Sequence, residues 1–207
     1  MGATMHRPDR IPRFSPAERL VHRSTAALVG VLAVTGAALY VPSLALLVGR
    51  RTAVEAVHVV AGLLLPVPTL AALAVSASLR ADVRALNRMT GTDWAWLRRR
   101  NRRHAGLPVG KFNGGQKLAA AVVAGAGLVL LGTGLLLLAP ARFALPVGVR
   151  QGATITHDLF TFGLLVLLAG HVWLAYRHPE ARLALRTGSV DRGYAEREHP
   201  AWAREVP

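Results

Sequence analysis

The sequence contains no cysteine. That absence alone excludes disulfides, thiolate zinc sites, cysteine-ligated iron–sulfur clusters and haem attached through thioethers. Acidic residues are scarce as well: 11 Asp and Glu stand against 25 Lys and Arg, giving a formal charge of +14. In a soluble chain such an excess points to a nucleic-acid surface. Here 52% of the residues are hydrophobic, mean hydropathy is +0.35, and the apolar residues collect in runs such as LVLLGTGLLLLAP with nearly all charge between them. A bilayer sorts residues in this way, so the basic groups orient the chain in a membrane and nucleic acid is excluded as a partner. No internal repeat is visible, and no low-complexity tract beyond the Ala, Leu and Val bias of the runs.

Four stretches are long enough to cross about 30 Å of hydrocarbon at about 1.5 Å per residue. They are roughly Ala17–Leu47, Ala53–Leu79, Lys117–Ala139 and Ala153–Tyr176. The expected fold is therefore all-α: a four-helix transmembrane domain over residues 17–177, an N-terminal tail over 1–16, a polar loop over 80–116 and a C-terminal tail over 178–207. Ser15, Pro16 and Glu18 suit the N-cap, first helical position and capping-box acid of the first span. That span is longer than a signal-peptide core and is expected to stay uncleaved. Pro42 should end or kink it, and Pro66 and Pro68 should kink the second. Trp94 and Trp96, beside the run Arg98–Arg103, suit an interfacial loop with snorkelling arginines or a partner-facing surface.

Lys and Arg number 5 in the N-terminal segment through Arg23, 10 over Arg80–Lys117 and 6 from Arg177 onward, against 4 in the two remaining loops. The positive-inside rule makes the richer face, with both termini, cytoplasmic.

Of eight histidines, His22, His58, His157 and His171 fall in the spans; His6, His104, His178 and His199 do not. Ionisable groups at membrane depth are costly and usually face the bundle interior. With alternating span directions, His22 and His171 lie toward the cytoplasm and His58 and His157 toward the outside. From His157 to His171 is 14 residues, about 40° short of four turns and about 21 Å of rise, so both imidazoles leave one face of one helix. Two distant pairs suit two stacked b-type haems with bis-imidazole iron, which carry electrons and leave no open position for oxygen. Zinc would require three or four ligands together. A proton relay would suit buried carboxylates, and only Glu55 and Asp158 lie near span ends. Gly36, Gly62 and Gly170, near the histidines, offer room for a porphyrin or for close helix packing.

RFSPAERLVHR (13–23), VHVVAG (57–62), GKFNGGQK (110–117), ITHDLF (155–160) and AGHVWLA (169–175), in that order along most of the chain, resemble the b-type cytochrome gamma subunit of respiratory formate dehydrogenase. The tail VDRGYAEREHPAW is similar to that family's C-terminal pattern, with Tyr194 and Arg23 where it tends to have tryptophan. The resemblance implies that Asn113 and Gln116 help form a menaquinone site close to His171, while the residues alone allow Asn113 to be simply a polar cap for the third span. It further implies a subunit without a formate-oxidising site of its own, in a bacterial cytoplasmic membrane. Such a subunit receives electrons from an iron–sulfur beta subunit, fed by a molybdenum or tungsten alpha subunit, and passes them through two haems to menaquinone. The membrane cytochrome of a hydrogenase or thiosulfate reductase is an alternative. A haem-free anchor or small transporter is an alternative of another class.

Overall fold

The computed structural model describes residues 9–41, 43–44, 49–99, 106–139 and 145–206. Four helices are long and apolar enough to cross a membrane: Pro16–Tyr40, Arg51–Val75, Gly114–Leu138 and Val147–Arg177. The chain is a multi-pass, four-span helical membrane protein. The break expected at Pro42, the outer end of the first span at Leu47, His6, His104 and much of the arginine run at 98–103 lie outside the described residues.

The helix starts follow from side chains that satisfy the first turn's free N–H groups. In α1 (Pro16–Tyr40), the Ser15 N–H donates to Glu18 Oε2 (2.9 Å) and the Glu18 N–H to Ser15 Oγ (3.3 Å), a capping box that closes on Pro16 at the first helical position. The second span is two helices, α2 (Arg51–Leu64) and α3 (Val67–Val75), parted by a turn at Leu65 and Pro66, where proline lacks the N–H a continuous ladder requires. It stops short of the expected Leu79. Ser76, whose Oγ accepts from the Leu79 N–H, caps a separate helix, α4 (Ala77–Leu86). The third span is α6 (Gly114–Leu138) and the fourth α7 (Val147–Arg177), each starting earlier than its apolar run because polar first turns are still good helix.

The polar segment after residue 80 is more than an interfacial loop. Beyond α4 it forms α5 (Gly91–Arg98), opened by a reciprocal cap between Thr90 and Asp93. The described parts of the tails, too, belong to a compact unit formed by the described residues within 1–19, 76–122 and 172–207. Within it β1 (Arg10–Pro12) pairs antiparallel with β2 (Ser189–Asp191), placing Ile11 opposite Val190. Helices α8 (Pro179–Thr187), α9 (Arg192–Glu198) and α10 (Pro200–Glu205) surround this ribbon. Ile11, Ala184, Val190, Ala195, Trp202 and Ala203 form its apolar core. Gly188 closes α8 at φ 89°, and a Cβ there would stand 2.8 Å from the Phe14 carbonyl oxygen, so a side chain is excluded by both backbone conformation and space.

The second unit, residues 20–75 and 123–171, holds the middle of the spans. Among the described residues its buried ones are Ala61, Ala126 and Ala153. Three alanines do not make a close-packed interior.

Candidate functional site

Each spanning histidine is fixed by the helix that carries it: His22 near the start of α1, His58 in the middle of α2, and His157 and His171 in opposite halves of α7. The fold brings together His22 with His171, ring centroids 6.2 Å apart, and His58 with His157, 6.4 Å apart. Among the described residues no group of three or more His, Asp or Glu is placed to hold a metal ion, so each pair stands alone.

The separations can be compared with an iron shared by two imidazoles. A metal about 2 Å from a nitrogen of each ring, with about 1 Å from that nitrogen to its ring centre, puts the centroids about 6 Å apart. Both pairs meet this requirement. Hydrogen bonding adds a second condition. His58 Nδ1 lies 2.9 Å from Thr35 Oγ1, and His157 Nδ1 lies 2.9 Å from Thr133 Oγ1. Each hydroxyl already donates its one proton to a carbonyl of its own helix, Thr35 to Val31 at 2.7 Å and Thr133 to Val129 at 2.8 Å. The histidines must then donate, Nδ1 is protonated, and the Nε2 lone pair is left for a metal. The residues present fit two bis-imidazole haems, with His22 and His171 on one and His58 and His157 on the other.

Gly36 and Gly134 adjoin those threonines, and a Cβ on either would sit 3.4 Å from His58 Cε1 or 3.6 Å from His157 Cε1. Gly36, expected to make room for a porphyrin or for helix packing, thus backs an imidazole ring. The Cβ of Gly62 would touch only Leu32 (3.8 Å), and that of Gly170 would meet nothing within 4 Å.

The string GKFNGGQK builds a polar platform in the other unit. Lys111 Nζ donates to both oxygens of Asp82 (2.7 and 2.6 Å), with Glu18 Oε2 at 3.9 Å. Burial pushes the Asp82 carboxyl above the usual range, and Lys111 offsets part of that rise. Asn113 and Gln116 exchange N–H···O bonds through their side-chain oxygens (2.9 and 3.0 Å), the capping box of α6. Each amide spends its oxygen on the cap; both NH2 groups stay available as donors. Lys117 Nζ reaches Asp93 Oδ2 at 2.6 Å and the Arg88 carbonyl at 2.9 Å. Cβ atoms at Gly114 and Gly115 would come within 2.5 Å of the Asp93 carbonyl oxygen and 2.8 Å of Trp96 Cζ3. The paired glycines therefore serve the close approach of α6 to α5.

His199, which carried no expected role, is 2% exposed. Its Nδ1–H donates to the Gly110 carbonyl (2.8 Å), and its Nε2 accepts from Arg13 Nη2 (3.0 Å). Burial, followed by the Arg13 guanidinium, pulls its pKa from 6.5 to about 3. Burial also draws Arg13 down to about 10. Between about pH 6.5 and about 3 a released His199 takes up a proton that the docked ring refuses, so docking is complete at neutral pH and weakens as pH falls. The expected loss is about tenfold in the docking equilibrium per pH unit below 6.5. Amide exchange of residues 192–206 at pH 7 and pH 5 measures it, and His199→Gln should flatten the dependence.

A four-span membrane protein whose spans present two pairs of facing histidines defines a class, the membrane b-type cytochromes. The chain matches the prokaryotic cytochrome b561 family over residues 13–187 and belongs to it. No curated protein matches the chain. Proteins of this family bind b-type haem, and a membrane cytochrome b is an electron-transfer protein.

Proposed function

We propose that this chain is the two-haem membrane subunit of a formate dehydrogenase-type complex. In this reading it takes electrons from an iron–sulfur partner at the outer face and delivers them to menaquinone at the cytoplasmic face. The observation that carries the reading is the occurrence of two histidine pairs at two levels of α7, about 21 Å apart along the helix. Each haem supplies one-electron oxidation and reduction at an iron without an open position. The chain's own part is to hold the four imidazoles at fixed depth, with His58 and His157 kept in the metal-ready tautomer by Thr35 and Thr133. The excess of Lys and Arg in the termini and middle segment supports a cytoplasmic location for them. Lacking cysteine, the chain has no conventional iron–sulfur cluster of its own, which supports a separate electron donor. Inward electron transfer coupled to proton uptake at the cytoplasmic side would store about 2.3 kcal/mol per charge per 100 mV.

The quinone assignment rests on the resemblance of GKFNGGQK and on the two amide NH2 groups left by the Asn113–Gln116 cap, suited to donate to quinone carbonyl oxygens. Asn113→Asp and Gln116→Glu keep the capping oxygens and remove only the NH2 donors. Each is expected to leave haem content and thermal unfolding unchanged while lowering the rate of electron delivery to a menaquinone analogue by about tenfold or more. Full quinone turnover in both variants would end the assignment. Co-purification tests the donor, since an alpha subunit that oxidises formate distinguishes this complex from one built on hydrogenase or thiosulfate reductase.

A further inference from the structure

The two histidine pairs are not equivalent. His58 and His157 each rest on a Thr–Gly dipeptide of a neighbouring helix, Thr35–Gly36 of α1 and Thr133–Gly134 of α6, in matching geometry: Nδ1 to Oγ1 at 2.9 Å, with room at the glycine such that an added Cβ would stand 3.4 or 3.6 Å from Cε1. The device occurs twice although the sequence has no visible repeat. Among the described residues, neither His22 nor His171 makes a side-chain hydrogen bond, and both rings are exposed whereas those of His58 and His157 are half-buried. We propose that Thr35 and Thr133 are positioning residues that hold the outer imidazoles as Nδ1–H donors and thereby set the outer haem at a lower reduction potential than the inner one.

The argument is one of donor and acceptor supply. A hydroxyl that has given its proton to Val31 or Val129 offers only lone pairs, so the histidine N–H polarises toward it and the opposite nitrogen becomes a stronger donor to iron. Stronger donation favours ferric over ferrous iron and lowers the potential. Removing a hydroxyl takes away the acceptor toward which the ring N–H polarises and leaves the imidazole itself to bind iron. The adjoining glycines let the backbones of α1 and α6 come close enough for a side chain as short as threonine to reach the ring. An outer centre of lower potential makes inward electron transfer downhill.

The proposal rests on the two-haem reading, and the experiment separates the two. Haem content and a potentiometric titration of the unsubstituted full-length protein come first: fewer than two b-type haems per chain overturns the reading itself. With two haems present, Thr35→Val and Thr133→Val should retain both, raise the potential of one by about 59 mV, equal to a tenfold change in the ferric-to-ferrous preference of a one-electron couple, and leave the other unmoved. The same centre should show altered low-spin ferric resonance g-values, and Thr35→Ser should restore the original potential. Unchanged potentials and g-values in both valine variants overturn the proposal, as does a shift in the haem bound by His22 and His171. If a valine variant loses haem, Thr35→Ser and Thr133→Ser decide: full haem content and the original potential uphold the hydroxyl's role, and a shifted potential overturns it.

Discussion

His58→Ala is expected to remove about half of the b-type haem absorbance and leave the remaining half with its spectrum and potential intact. In the proposed arrangement, loss of one of the two imidazoles would leave the iron a single protein ligand, at a half-buried position with no group of three or more His, Asp or Glu nearby among the described residues. The pairing makes the result diagnostic. His157→Ala should remove the same haem, because its ring faces His58 at 6.4 Å, and the double variant should lose no more than either single one. His22→Ala and His171→Ala should remove the other haem, by the 6.2 Å pairing of those rings. Reduced-minus-oxidised spectra with a haem-to-protein ratio read all four outcomes. The pairs would be wrong if His58→Ala and His22→Ala depleted the same spectral component. Imidazole added to His58→Gly should recover the missing band, which an unfolded bundle would not allow.

The reach of the sequence differs between the two halves of the structure for a physical reason. A bilayer imposes long apolar runs and forbids unsatisfied backbone, so four spans and the cap at Ser15 and Glu18 are legible from local pattern. Helical phase is equally local; 14 residues on one helix place His157 and His171 on one face whatever surrounds them. The unit that contains the tails is built from long-range pairing and leaves no such trace. Arg10 pairs with Asp191, and Lys111 reaches Asp82 from 29 residues away. His199 meets Arg13 across 186 residues. The tail residues Val190 and Trp202 are buried only because β1 and α8 lie against them, which composition does not reveal. Thr35 and Thr133 are illegible for another reason. Threonines in membrane helices commonly bond to their own backbone, as these do, and nothing local shows that the spare lone pair meets an imidazole. The recurring Thr–Gly dipeptide on two helices is the only signal, and it becomes readable once the histidine pairs are placed.

Lys117→Met is expected to cost about 3–5 kcal/mol of stability, the effect of leaving a buried charge without its partner. The Asp93 side chain is 5% exposed and that of Lys117 10%. Burial drives the Asp93 carboxyl toward protonation, but Lys117 and the hydrogen bonds from Thr90 outweigh it and hold its pKa below the ordinary 3.8. Its contribution in the intact protein is therefore present above pH 3.8 and is lost as pH falls through the lower folded value. Removing Lys117 leaves burial with fewer opponents. The carboxyl then rises above its unfolded value, so that part of the destabilisation is relieved as pH is lowered from neutrality. Thermal unfolding of the purified protein in detergent should thus show opposite local pH slopes for the variant and the parent. Asp93→Asn combined with Lys117→Met should recover at least about 1 kcal/mol relative to Lys117→Met alone, since the amide retains the Thr90 cap without a charge to bury. Independent, additive costs would mean that the two side chains do not act as a pair, and that the close approach at Gly114 and Gly115 holds α5 on α6 without them.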